Sequence, residues 1–317
     1  FFGWDKLSKG QHLVVTWLVA LGSSFSALWI LIANGWMQHP VGSHFDFETM
    51  RMEVSNFALV MFNPVAQAKF VHTISAGYVT GSVFVLAISS YYLLRGRNVA
   101  IARRSMTVAV AFGLASALSV VVLGDESGYL ANQHQKMKIA AIEGMWETEP
   151  APASLNLVGV PDQKNHVTNY TLKLPYALGL IATRSVSKPV YGIDDLVNKA
   201  QEHYIPKGIS AYGALETLKK DPNNQKARAV LDQNSKYLGY AFLVKKYNKN
   251  PLLATPTQIQ KAAEDTVPKH VFLLFWAFRI MVAVGLFLII LFATGCYLSA
   301  KRCLFKTTWY LRIALLS

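Results

Sequence analysis

Four runs of apolar residues, near positions 12–37, 67–93, 101–123 and 271–299, alternate along the chain with polar stretches. At about 1.5 Å per helical residue, each is long enough to cross about 30 Å of hydrocarbon. Ionisable groups in the first, second and fourth runs sit near the ends or are histidine, and the third run has none after Arg104. Between the third and fourth runs lies a polar insert, residues 124–267, opened by GDESGY (Gly124–Tyr129). Inside it, KMKIAAIEGMWE (Lys136–Glu147) is helix-like, and IDDLVNKAQEHYI (Ile193–Ile205), ISAYGALETLKK (Ile209–Lys220) and the stretch 224–247 have helical spacing rich in lysine, as solvated helices do. PYALGLIATRS (Pro175–Ser185) is apolar but too short to span, so it is expected to dip into the interface or line a pocket. The pattern predicts an all-α polytopic membrane protein with four transmembrane helices and a large insert of mixed helix and loop. Its expected segments are 1–123, 124–267 and 268–317.

Composition agrees: 52% of the 317 residues are hydrophobic and 15% charged, too apolar for an ordinary soluble domain. Charge sets the orientation, because lysine and arginine in short loops are retained on the cytoplasmic side. Arg95, Arg97, Arg103 and Arg104 mark one cytoplasmic turn, and Lys301, Arg302, Lys306 and Arg312 mark another. The loop 38–66 mixes Asp46, Glu48, Arg51 and Glu53 without a positive excess, which places it on the opposite side. Alternation then puts residues 124–267 in a periplasm-like space, and Lys6 and Lys9 agree. The net charge of +13 is largely accounted for by these loops and by the lysine-rich insert, so no nucleic-acid surface is expected. Cys296 and Cys303 cannot by themselves complete a four-ligand zinc or iron–sulfur site. Phe1, Phe2 and Trp4 read as the interfacial end of a preceding helix, and WYLRIALLS (Trp309–Ser317) as the opening of a further apolar segment. The expectation is a fragment of a longer subunit.

Polar groups within membrane helices are expensive and are functional candidates by default. His72 enters the second run with Gln67 and Lys69 close by, and Ser75, Gly77, Thr80, Gly81 and Ser82 follow as a small-residue face. That face suits a flat prosthetic group or a closely packed helix. His72 reads either as an axial haem ligand or as a packing histidine. Met281, at similar depth in the fourth run, reads as a soft thioether ligand or as gap filling. Arg279 needs a counter-ion, either a haem propionate or Asp125 or Glu126. Lys138 and Glu143 read as a pair able to bond quinol oxygens and take its protons, or as part of a solvated helix.

At these residues the chain resembles subunit I of cytochrome bd-type quinol oxidases. The likeness rests on WLVALGSSFSALWILIANGWMQ (Trp17–Gln38), FETMRME (Phe47–Glu53), NPVAQAKFVHT (Asn63–Thr73), GYVTG (Gly77–Gly81), VLGDESGY (Val122–Tyr129), KIAAIE with WETEPAP (Lys138–Pro152), PYALGLIATRS and FRIMVA (Phe278–Ala283). The resemblance implies that His72 and Met281 are the axial ligands of the low-spin haem b558, with Arg279 as its supporting cation. It also implies that the insert is the long form of the quinol-binding loop, with Lys138 and Glu143 acting in quinol oxidation. Ser26 falls at a family position near the proton route to the oxygen site. Ligands of the family's haem b595 and haem d lie in helices preceding the matched region.

By that resemblance the full subunit is a quinol:oxygen oxidoreductase of the bacterial inner membrane. It would work with a subunit II, with small accessory subunits and with membrane quinol in the lipid bilayer. Two other readings compete. A haem-bearing membrane anchor that only relays electrons would lack a quinol site, and an anion transporter using His72 and Arg279 would lack haem and break its helices around the site.

Overall fold

The computed structural model describes residue 3 and residues 5–317. The expectation for Phe1, Phe2 and Trp4 therefore lies outside the described residues. The described residues form two compact units, one of those up to 41 with 58–127 and 281–317, the other of residues 42–57 and 128–280.

The first unit is built on long helices. Helix α1 (Lys9–Gln38) starts with a capping box, Ser8 and Gln11 bonding each other's backbone N–H. Pro64 separates the short α2 (Phe57–Met61) from α3 (Pro64–Leu94). The ring fixes the first helical φ, and the Asn63 side chain accepts the orphan Val65 N–H at 3.0 Å. Helix α4 (Val99–His134) carries the third apolar run, and the fourth lies on a later helix, α12 (Val271–Ala300). Four helical stretches, Lys9–Gln38, Phe57–Leu94, Val99–His134 and Val271–Ala300, are long and apolar enough to cross a membrane. All four predicted spans are therefore present.

The core of this unit joins α3, α4 and α12 to the final helix α13 (Thr308–Leu316) through Leu86, Met106, Val110, Phe292, Tyr310 and Leu311. Gly113 on α4 leaves room for the Phe292 ring, where any Cβ would collide with it. Trp17, Leu18, Val19 and Ile30 on α1 and Leu286, Phe287 and Ile290 on α12 are exposed, a surface suited to hydrocarbon or other helices. GDESGY, expected to open the insert, instead continues α4 to His134. Its residues carry no helix breaker other than glycine.

The second unit is a mixed lobe. Helix α5 (Lys136–Glu143) ends at Gly144, whose φ of +57° is the left-handed cap that glycine adopts without strain. Two antiparallel hairpins, β1 (Ser43–Asp46) with β2 (Arg51–Val54) and β3 (Leu155–Asp162) with β4 (Val167–Leu174), were not expected from the sequence. In the second, Asp162 accepts the Lys164 and Asn165 N–H groups and closes the turn.

PYALGLIATRS folds as α6 (Ala177–Thr183), with Leu178 and Ala182 packed on Ile139, Met145 and Val190. Helix α7 (Ile193–Lys199) passes through a π-helical segment (Ala200–Tyr204) into α8 (Ile205–Lys220). Pro206 supplies no N–H to the preceding turn, a sufficient cause for the widening there. Helices α9 (Gln225–Asn234) and α10 (Leu238–Val244) pack on α8 through Leu215, Leu218, Leu231 and Ala241. Helix α11 (Pro256–Glu264) completes the lobe with Ala262 and Ala263.

Candidate functional site

Glycine at position 144 ends α5 immediately after Glu143 and leaves that carboxylate pointing inward, with its side chain 4% exposed. Arg279 comes from α12, with its side chain 10% exposed. Its Nη2 donates to Glu143 Oε2 at 2.9 Å and to the Asn156 carbonyl. Nε donates to the same Asn156 carbonyl at 2.9 Å. Nη1 donates to the carbonyls of Ile142 at 2.7 Å and Phe275 at 3.0 Å. These contacts engage all five guanidinium N–H groups, and the Phe275 ring lies beneath the cation at 3.4 Å. Arg279 thereby ties α5, β3 and α12 together within the second unit.

Charge and burial oppose each other at Glu143. Burial pushes its carboxyl above the usual range, while the adjacent guanidinium pulls it back. The net direction is upward, so this group holds a proton more readily than a surface glutamate. Asn156, itself 6% exposed, donates from Nδ2 to the Glu143 carbonyl at 2.9 Å, and its Oδ1 is buried without a hydrogen-bond partner.

Lys138 is on the same helix as Glu143 but not on the same side. A separation of five residues turns the second side chain by about 140°. Lys138 is exposed, and its ammonium makes no hydrogen bond or ion pair among the described residues. The two residues read together from the sequence therefore divide into a buried acid and a surface cation. The counter-ion of Arg279 within the second unit is Glu143. Asn156 went unnoticed, because a lone asparagine in a turn-rich stretch carries no sequence signal for burial beside an ion pair.

The first unit holds His72 and Met281, on α3 and α12. His72 packs against α4 where Gly124 leaves space, its ring 3.4 Å from the position a Cβ would take. Its Nδ1 is buried and has no hydrogen-bond partner, an unusual state for a histidine used only in packing. Met281 is 54% exposed. An imidazole and a thioether are each of a donor type that binds haem iron.

The polar residues that precede His72 are structural. Gln67 Nε2 donates to the Met61 carbonyl at 2.7 Å, and Lys69 Nζ reaches Asn34 Oδ1 at 3.0 Å and also Gln38 Oε1 on α1. The small residues Gly77, Gly81 and Ser82 line a cavity of about 570 Å³ with Val108, Phe112 and Arg104 of α4. His72 is not among its lining residues. Ser26 is exposed on α1.

Four helices long and apolar enough to cross a membrane define a polytopic helical membrane protein. Residues 1–317 match the family model for cytochrome bd terminal oxidase subunit I, and the chain belongs to that family. It is 42% identical over 320 residues to the cytochrome bd-II ubiquinol oxidase subunit 1 of Escherichia coli strain K12, covering 100% of this chain and 61% of that protein. It is 30% identical over 312 residues to the cytochrome bd ubiquinol oxidase subunit 1 of Bacillus subtilis strain 168, covering 98% of this chain and 54% of the relative. The chain thus spans little more than half the length of these relatives. The bd oxidase structure from Geobacillus thermodenitrificans shares the fold, with a TM-score of 0.53 and 21% identity, over 95% of this chain and 73% of that one.

Proposed function

We propose that this chain forms the electron-entry part of a quinol oxidase of the bacterial inner membrane, with residues 124–267 on the periplasmic side. The observation that carries the reading is the Arg279–Glu143 pair. It ties an inward-facing acid of the insert to the helix that bears Met281, two residues further along. Both named relatives are ubiquinol oxidases, and membrane quinol is the substrate class proposed here.

In this reading His72 and Met281 hold haem b558, which supplies the one-electron acceptor chemistry. Haem b595 and haem d belong to the whole subunit, where oxygen is reduced, and subunit II is its partner. Glu143 is the base that takes a quinol proton, and its upward-shifted pKa brings it closer to the range in which a carboxyl can both accept and release one. Lys138, exposed on the outer side of α5, presents a cation to the quinol oxygen rather than to Glu143. Arg279 keeps the carboxylate in one orientation and prevents it from turning toward water. Arg279 is also the supporting cation of the haem, and its bonds to Glu143 and to the Asn156, Ile142 and Phe275 carbonyls hold it in place. Ser26, on α1, takes a place on the proton route to the oxygen site in this reading.

The test compares quinol with an artificial reductant in the full-length oxidase. Lys138→Ala and Glu143→Ala are expected to slow haem reduction by quinol at least tenfold while reduction by dithionite stays complete. Wild-type quinol rates in both variants would leave only the electron-relaying anchor.

A further inference from the structure

Glu143 must be stable in two forms if it takes and releases a proton, and the two forms need different partners. As a carboxylate it is an acceptor only, and Arg279 Nη2 satisfies it at 2.9 Å. As an acid it keeps one accepting oxygen but gains an O–H donor, and a buried donor without an acceptor is costly. The residue that bonds the Glu143 backbone carbonyl also carries an acceptor without a donor. Asn156 Oδ1 is buried and unpartnered, on a residue whose own backbone also lies against the Glu143 carboxylate. Its amide is oriented unambiguously, because Nδ2 faces the Glu143 carbonyl at 2.9 Å.

We propose that Asn156 is a positioning residue for the protonated form of Glu143, its Oδ1 accepting the carboxylic O–H while Arg279 stays on the other oxygen. The inference rests on the role given to Glu143 under Proposed function. In the step concerned, a quinol O–H bond breaks and an O–H bond forms on Glu143; a haem held by His72 and Met281 would supply the one-electron acceptor. Neither form of Glu143 then strands a buried group. The carboxylate leaves only a neutral carbonyl oxygen unpaired, and the acid leaves nothing unpaired.

Few other charges act at this point. Arg279, from α12, is the charged residue that acts on the carboxylate, whereas Lys136 and Lys138 on its own helix are exposed. Burial already raises the carboxyl, and a waiting acceptor raises it further by favouring the acid.

The experiment uses the full-length oxidase with Asn156→Leu, Asn156→Ser and Glu143→Gln. It reads quinol oxidation against pH and the redox-induced infrared difference spectrum in the carboxylic C=O region. The wild type is expected to show a C=O band that Glu143→Gln abolishes. In Asn156→Leu that band should move to higher frequency. The acid-side pKa of the rate should fall by roughly one unit and kcat about tenfold, with KM nearly unchanged. Asn156→Ser, which also withdraws the oxygen but keeps a small polar side chain, should give the same shifts if the leucine variant fails to incorporate haem. An inactive Glu143→Gln together with an unmoved band and pH profile in both Asn156 variants would overturn the positioning role and leave the base intact. Full quinol activity in Glu143→Gln would overturn the base itself.

Discussion

Arg279 Nη2 lies 2.9 Å from Glu143 Oε2, joining the end of a short helix in the insert to the helix that leads into Met281. The sequence places 135 residues between these two partners. Both side chains are almost fully withdrawn from water, at 10% and 4% exposure. Desolvating such a pair is expensive, and its retention is better explained by the geometry it imposes than by net stabilisation.

Breaking the pair from one side should therefore cost more than removing it from both. Arg279→Leu or Glu143→Leu alone strands a buried charge and is expected to destabilise the fold by about 3 kcal/mol. The double variant should lose clearly less than the sum of the two. Denaturation of the detergent-solubilised protein measures this, and simple additivity would show the pair to be uncoupled.

The raised carboxyl of Glu143 carries a pH dependence of definite sign. The folded state binds this proton more tightly than the unfolded chain, so the stability it contributes is fully present below the ordinary carboxyl value of 4.5. That contribution is lost as pH rises from there through the folded value. Wild-type Tm is expected to fall over this interval relative to Glu143→Gln, in which the titrating group is absent. Parallel Tm curves would place the carboxyl back in its usual range.

Asp265 runs the other way. It accepts hydrogen bonds from Lys246 Nζ at 2.8 Å and Tyr247 Oη at 2.7 Å, and the bonds from these two groups hold its carboxyl below the ordinary 3.8. Its stabilisation is present above that value and lost as pH falls through the folded one. Asp265→Asn should lower Tm at neutral pH and converge with the wild type in acid. A constant difference across the range would assign the effect to something other than ionisation.

Close approach of α4 and α12 depends on Gly113, because a Cβ there meets the Phe292 ring. Gly113→Val is expected to destabilise the helix cluster by about 1–3 kcal/mol. Adding Phe292→Leu should restore part of the loss. A fully stable Gly113→Val protein would mean that the ring has room to move.

The four membrane helices were legible because an apolar run of that length has few other uses. The hairpins were not. In β3 the alternation of buried and exposed positions is broken by two register shifts, and β4 is exposed along most of its length, so neither strand shows a clean period of two. The extension of α4 through GDESGY was missed because hydropathy marks where a membrane would end, not where a helix does. His72, Met281 and Arg279 stood out as polar or soft groups in apolar surroundings. The partner of Arg279 did not, since a contact across so many residues is set by tertiary packing. The same packing separates Lys138 from Glu143, which sequence proximity alone had brought together.

A reduced-minus-oxidised optical spectrum of the full-length complex tests most directly whether His72 and Met281 hold the low-spin haem. His72→Ala and Met281→Leu are each expected to abolish the low-spin b signal while leaving the remaining haem bands in place. Survival of that signal in both variants would contradict the assignment.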